Sequence, residues 1–282
     1  MLQVIIENQY GQQLDFSRSK DYDVLKVTGL TPPVATINTT VIATNDGGAF
    51  NSSRLNNRNI ILIIKPKGNI EQSRLNLYKF IQAKQYIKMY FKNGQRDVWI
   101  DGYVESVDGD LYTQIQQFQV SIICPDPYFK SRDALITNFS VIEPVFTFPF
   151  TIPADGVVIS QLNNYAERNI INDSDSESGI VVDLYARDLA LEPTIYNLTT
   201  GESFTINHEF QPGDLIRINS RQGEKSLKLI RQAVESNVLN QMDRTSKWLT
   251  VAVGDNIFSY TALFGAENLQ MIVHLQPIYT GV

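Results

Sequence analysis

The stretch Tyr86–Val107, YIKMYFKNGQRDVWIDGYVESV, decides how the chain is read. It is two β-rich runs meeting at Asn93-Gly94, a pair that accepts the positive φ angles of a tight hairpin turn. Two further stretches repeat the pattern. PTIYNLTTGESFTINHEF (193–210) turns around Thr200-Gly201, and DLIRINSRQGEKSLKLI (214–230) turns around Gln222-Gly223. Three glycine-centred hairpins predict antiparallel β structure. Strands do not alternate with long helices, which argues against Rossmann and TIM architectures. The fold class read here is mainly β.

One helix interrupts the first half. Asn69 caps it, Gln72 stands where a capping box wants Glu or Gln, and Leu77, Tyr78 and Ile81 share a face. Pro66 and Gly68 stop the preceding strand, NIILIIK (59–65). RTSKWLTVAVG (244–254) suits a second helix or, through Thr245, Thr250 and the valines, a strand equally well.

With 282 residues the chain is long enough for two domains with separate cores. Composition shifts near residue 130. SIICPDPYFKSRD (121–133) ends one strand-rich block, and VFTFPFTIPADGVVI (145–159) opens another with two internal prolines just after Pro144. The expected domains are 1–133 and 134–282. Two stretches, TNDGGAFNSSRLNNRN (44–59) and NNYAERNIINDSDSESG (163–179), have loop composition, and the first is expected to be a long loop or a mobile hairpin.

The net charge of −6 and pI near 5.0 disfavour a general nucleic-acid binder. One cysteine cannot form an intrachain disulfide, which fits assembly in a reducing cytosol. The opening MLQVIIENQYGQQLDF lacks a basic n-region, and no run approaches the roughly 20 apolar residues of a membrane span, so a soluble intracellular product without a membrane partner is expected.

Candidate chemistry is thin. In FQVSIIC (118–124), alternation puts Phe118, Val120, Ile122 and Cys124 on one apolar face, so Cys124 reads as a core residue rather than a nucleophile. The only histidines, His208 and His274, lie inside strand-like runs. One Cys and two scattered His do not make a zinc site. Asp173, Asp175 and Glu177 in a Ser-rich run resemble part of a calcium loop, without the EF-hand glycine position or flanking helices. Asp97, Asp101 and Glu105 read as exposed-face residues of a hairpin strand. No catalytic, metal or cofactor residue is predicted.

The order of motifs resembles the distal tail protein (Dit) family of bacteriophages. In the first block the carriers are the capped helix, the Gly102-Tyr103-Val104 strand and FQVSIICPDPYF (118–129). In the second they are PTIYNLTTGESFTI (193–206), FQPGDLIRINSRQGEKSLKL (210–229), SKWLTVAVGDNIFSY (246–260) and IVHLQPIYTGV (272–282). The resemblance implies a non-enzymatic virion protein with an N-terminal tail-tube-like β-sandwich or barrel and a C-terminal galectin-like β-sandwich. It implies a homo-hexameric ring at the tail tip, assembled in the bacterial host cytoplasm. Its partners would be the tail tube protein, a tail-associated lysin or fibre hub, and receptor-binding or baseplate proteins. It implies no sequence-specific nucleic-acid binding. A ring subunit must contact copies of itself, and the polar 44–59 stretch and the Asn93 turn offer Asn45, Asp46, Gly47, Gly48, Arg54, Asn93 and Gly94 as interface residues. The alternative is a carbohydrate-binding adhesion module for host cell-surface glycans. Tyr165, Tyr185, Tyr196 and Trp248 would be its aromatic platform.

Overall fold

The computed structural model describes residues 2–41, 43, 46–111, 113, 115–144, 160–164 and 167–282. The chain forms two compact units, Met1–Arg132 with Ile278–Val282, and Asp133–Pro277.

The first unit contains β1 (Gln3–Asn8), β2 (Gln13–Asp15), β3 (Tyr22–Thr28), β4 (Ala35–Val41), β5 (Gly48–Leu55), β6 (Arg58–Pro66), α1 (Ile70–Phe80), β7 (Tyr86–Lys92), β8 (Asp97–Gly109), β9 (Phe118–Cys124) and β10 (Phe129–Ser131). Its main sheet runs β2-β1-β7-β8-β9-β6-β3, and every pairing in it is antiparallel. Strand alternation explains the core. Ile87, Met89 and Phe91 of β7, Val98 and Ile100 of β8, and Ile60, Leu62 and Ile64 of β6 all point inward and are buried. The helix closes this core with Leu77 and with Ile81, its C-cap. Asn69 caps it, its side chain accepting from the Gln72 N–H. No reciprocal bond from the Asn69 N–H to the Gln72 side chain is found among the described residues; the Gln72 side-chain N–H donates to Asn76.

The β7–β8 turn forms where Asn93-Gly94 predicts it, but by another mechanism. Gly94 is not among the residues with positive φ. A four-residue connection is held by the Asn93 side-chain carbonyl, which accepts from the N–H groups of Gln95 and Arg96. Asn93 works as a turn-forming side chain rather than as a left-handed residue.

The second unit contains β11 (Leu135–Asn138), β12 (Ser140–Pro144), β13 (Ser160–Asn164), β14 (Glu167–Asn172), β15 (Ser178–Ala186), β16 (Ala190–Asn197), β17 (Glu202–Thr205), β18 (Glu209–Phe210), β19 (Leu215–Asn219), β20 (Ser226–Arg231), β21 (Val234–Asn237), β22 (Thr250–Val251), β23 (Gly254–Phe264) and β24 (Leu269–Leu275). One sheet runs β11-β24-β15-β19-β20-β21 with β22 on β15, and another runs β14-β23-β16-β17 with β18 on β16. Both line a single core. Ile180, Val182, Leu184 and Val273 come from the first sheet, and Ile170, Ile195, Phe204 and Phe258 from the second. The sheets therefore make a β-sandwich. Gly201 and Gly223 take the left-handed conformation in their hairpins. The stretch at 244–254 is not a helix: Thr250–Val251 pairs with β15 and Gly254 begins β23. Within 163–179, Glu167–Asn172 is strand rather than loop, paired along its length with β23. Residues 145–159 lie outside the described residues.

The last strand, β25 (Ile278–Tyr279), belongs to the first unit, so the chain visits that unit twice. The expected second domain of 134–282 does not hold for its last five residues. Phe129 pairs with Tyr279 and Lys130 with Ile278, and Tyr279 and Val282 pack against the first unit's core. Pairing across some 150 residues leaves no local trace in sequence.

Candidate assembly surface

Among the described residues β4 and β5 pair with each other and with no other strand. Their register is Ala35 to Leu55, Ile37 to Ser53, Thr39 to Phe50 and Val41 to Gly48, with Asn51 inserted as a bulge. Side chains alternate, so one face of this arm carries Ala35, Ile37, Val41, Phe50 and Leu55, with Thr39 and Ser53 among them. The other carries Thr36, Asn38, Thr40, Ser52 and Arg54. The polar face is stitched by its own hydrogen bonds, from Asn38 to Ser52 (2.9 Å), Asn51 to Thr40 (2.6 Å) and Thr36 to Asn56 (2.7 Å). Nothing in the described residues covers the apolar face. Ile37 is 56 % exposed, Phe50 65 % and Val41 81 %. An isolated two-stranded hairpin is at best marginally stable in water. Burying Ile37, Val41 and Phe50 fully would contribute about 1.5–3 kcal/mol each.

The expected interface residues fall at two places. Asp46 and Gly47 form the arm's tip, with Gly47 left-handed, and Gly48 begins β5. Arg54 faces Thr36 on the polar side. Asn45 lies outside the described residues. Asn93 and Gly94 sit apart from these in the β7–β8 turn, where Asn93 spends its side-chain carbonyl locally. Composition drew attention to the polar residues of the arm. The apolar face was missed, although the alternation in ATINTTV (35–41) signals it.

The sites weighed for chemistry are occupied structurally. Cys124 is buried, and burial pushes its thiol up to about 12, far from a reactive thiolate. It lies in the first unit and both histidines lie in the second. The Asp97 carboxylate pairs with Lys92 (2.9 Å), Asp101 accepts from the Tyr86 hydroxyl, and Glu105 accepts from Ser121 (2.7 Å). Burial, and then that hydrogen bond to Asp101, raise the Tyr86 phenol well above its ordinary value. These acids join neighbouring strands of one sheet. Among the described residues no group of three His, Cys, Asp or Glu side chains could hold a metal. A cavity in the second unit's core is lined by Ile180, Val182, Ile195, Phe204, Ile218, Leu249 and Ser220. Ser220 accepts from the Ile180 N–H and reaches the Leu249 carbonyl at 2.6 Å, so the wall offers no spare polar group.

Of the four aromatic residues, the three described ones do not share a sheet face. Tyr185 stands on β15 and Tyr196 on β16, in different sheets of the sandwich. Trp248 packs against Phe204 with ring centroids 5.3 Å apart. Tyr165 lies outside the described residues.

No protein-family model matches the sequence, and no curated protein does. Solved structures do match. The SPP1 Dit (gp 19.1) protein, described as a paradigm of the hub adsorption apparatus in phages infecting Gram-positive bacteria, aligns over 99% of both chains with a TM-score of 0.70 and 12% identity. A chain of the phage P2 baseplate in its activated conformation with Ca aligns over 98% of both chains, with a TM-score of 0.52 and 11% identity. The Sr form of that baseplate gives 0.51 at the same identity and coverage. The chain thus shares its fold, from end to end, with phage hub and baseplate proteins.

Proposed function

We propose that this protein is a structural subunit of a phage or phage-like tail tip, and that six copies close into a ring through the β4–β5 arm. The observation that carries the reading is the arm itself. It is amphipathic, satisfied on its polar face and bare on its apolar face, which is the form of an element completed by a neighbour. Passing each arm to the next copy is a heterologous contact, and such contacts close into rings when the rotation allows. The fold shared with hub and baseplate proteins supports this setting.

In this reading the first unit is the tail-tube-like ring domain. The second, galectin-like sandwich faces the adhesion apparatus. The ring joins the tail tube protein to a tail-associated lysin or fibre hub and to baseplate or receptor-binding proteins. It has no catalytic duty, forms in the host cytoplasm and ends at the virion tail tip. Asp46, Gly47, Gly48 and Arg54, with Asn45, lie on or beside the contact, and Asn93 and Gly94 form a secondary one. The test is subunit exchange through the arm. With Val41 and Phe50 both changed to Ser, the folded protein should no longer form the ring made by the parent. An unchanged ring would refute the arm as its joint.

A further inference from the structure

Arg58 begins β6 directly after the arm, is 3% exposed, and among the described residues its side chain makes hydrogen bonds only to backbone carbonyls. Its Nε donates to Pro127 (2.7 Å). Its Nη1 donates to Gly29 (2.5 Å) and Thr31 (2.7 Å), and its Nη2 to Thr280 (2.6 Å). The guanidinium lies over the Phe129 ring, 4.4 Å from its centroid. These acceptors come from three separate segments: the chain running into the arm, the Cys-Pro-Asp-Pro turn, and the returning segment Ile278–Val282.

Two of these segments, the chain running into the arm and the returning segment, touch again without Arg58, and the β7–β8 turn also holds the returning segment. The Val282 N–H donates to the Leu30 carbonyl (3.0 Å), and Arg96 donates to the Gly281 carbonyl while its guanidinium covers Tyr279. A Cβ on Gly281 would stand 3.1 Å from the Leu30 oxygen. Gly29 is left-handed, and a Cβ there would stand 2.1 Å from the Asn59 oxygen. The Asn56 N–H closes the arm's base on the Val34 carbonyl (3.0 Å). Both feet of the arm are therefore fixed, one by Arg58 itself and the other by the returning segment.

We infer that Arg58 and residues 278–282 form a seat that sets the arm's direction before any neighbour arrives. The inference rests on the arm being the ring joint, and it makes Arg58 a positioning residue for that joint. A planar five-donor fork can hold carbonyls from several directions at once, and a lysine ammonium cannot reproduce that geometry. An arm ordered in advance loses less freedom on docking, so the seat favours ring closure.

The test uses the full chain in a Cys124→Ser background with spin labels at Ser52→Cys on the arm and Lys79→Cys on α1. Label-to-label distances are measured at a dilution where the chain is monomeric, and ring content is measured at high concentration. The parent should give one narrow distance distribution. Arg58→Lys and Gly281→Val should broaden it and lower ring content at least tenfold, with the fold retained by circular dichroism. Gly281→Val keeps the guanidinium and carries the test if Arg58→Lys does not fold. A broad distribution in the parent, or a narrow one in folded Gly281→Val, overturns the seat. A parent that is narrow, is broadened by the variants and never forms a ring supports the seat and sinks the ring reading instead.

Discussion

Gly102 lies so close to Cys124 that a Cβ on the glycine would stand 3.0 Å from the cysteine sulfur and 2.6 Å from Cγ2 of Ile122. The two residues explain each other. β8 can approach β9 at this point because one side lacks a side chain, and the thiol fills the gap at the end of the apolar face. The strand then stops at Pro125 and Pro127, and Phe129 enters the core edge-on to Phe91 at 5.8 Å. The lone cysteine and the Gly-x-Val strand are one packing unit.

Gly102→Val should therefore destabilise by overpacking, by about 1–3 kcal/mol. Cys124→Ser buries a hydroxyl in an apolar site and should cost about 1–3 kcal/mol if the hydroxyl finds no partner. Thermal or denaturant unfolding reads both. Cys124→Ser should leave ring assembly intact, and loss of assembly in a normally folded Cys124→Ser protein would contradict the packing role. Iodoacetamide should label Cys124 slowly in the native protein and rapidly in denaturant.

The helix supplies a second check on the first unit. Asn69→Ala removes the cap and should cost about 0.5–2 kcal/mol. Leu77 is wholly buried beneath the sheet, and Leu77→Ala should cost about 2–5 kcal/mol. If the two costs came out equal, the helix would be contributing little through its packing.

Acid should weaken the second unit in two steps. Burial lowers the His208 imidazole below its ordinary value, an effect partly offset by Asp214 and Glu209 and reinforced by Arg231. Below about pH 6.5 the unfolded chain takes up a proton that the folded one resists. Stability therefore falls from there down to the folded value, then levels off. Burial alone would push Asp214 up, but bidentate hydrogen bonds from Arg231 (2.6 and 2.5 Å) and one from the Gln211 N–H hold its carboxyl below the usual range. Its contribution is present above the ordinary carboxylate value and lost as pH falls through the folded one. His208→Gln should flatten the upper part of the stability–pH curve and Asp214→Asn the lower part. An unchanged curve in either variant would show that the residue does not titrate as described.

What could be read from sequence follows from how local each signal is. The hairpins at Asn93, Gly201 and Gly223 and the helix after Asn69 were legible because a turn or cap residue names itself. The β20–β21 hairpin was not, because Gln232 and Ala233 take its left-handed positions without a glycine or asparagine. The stretch 44–59 reads as a long loop or a mobile hairpin because Asn, Ser and Gly dominate its composition, while the arm's apolar residues alternate at wide spacing and several of them, in 35–41, precede that stretch. Arg58 looked like one more residue in NNRN (56–59), since its partners lie at 29, 31, 127 and 280. Pairing at that separation is a property of the folded chain only.

The arm variants separate folding from assembly. Val41 and Phe50 are exposed in the single chain, so changing both to Ser should leave the monomer's stability within about 0.5 kcal/mol while removing the ring. A large loss of monomer stability would mean that the arm's apolar face packs within its own chain.

The central claim is tested most directly by the mass of the purified protein in solution across a wide concentration range. The account predicts a closed species of six chains of 31.9 kDa each, populated at high concentration and dissociating on dilution without stable open intermediates. A single 31.9 kDa chain throughout that range would contradict it.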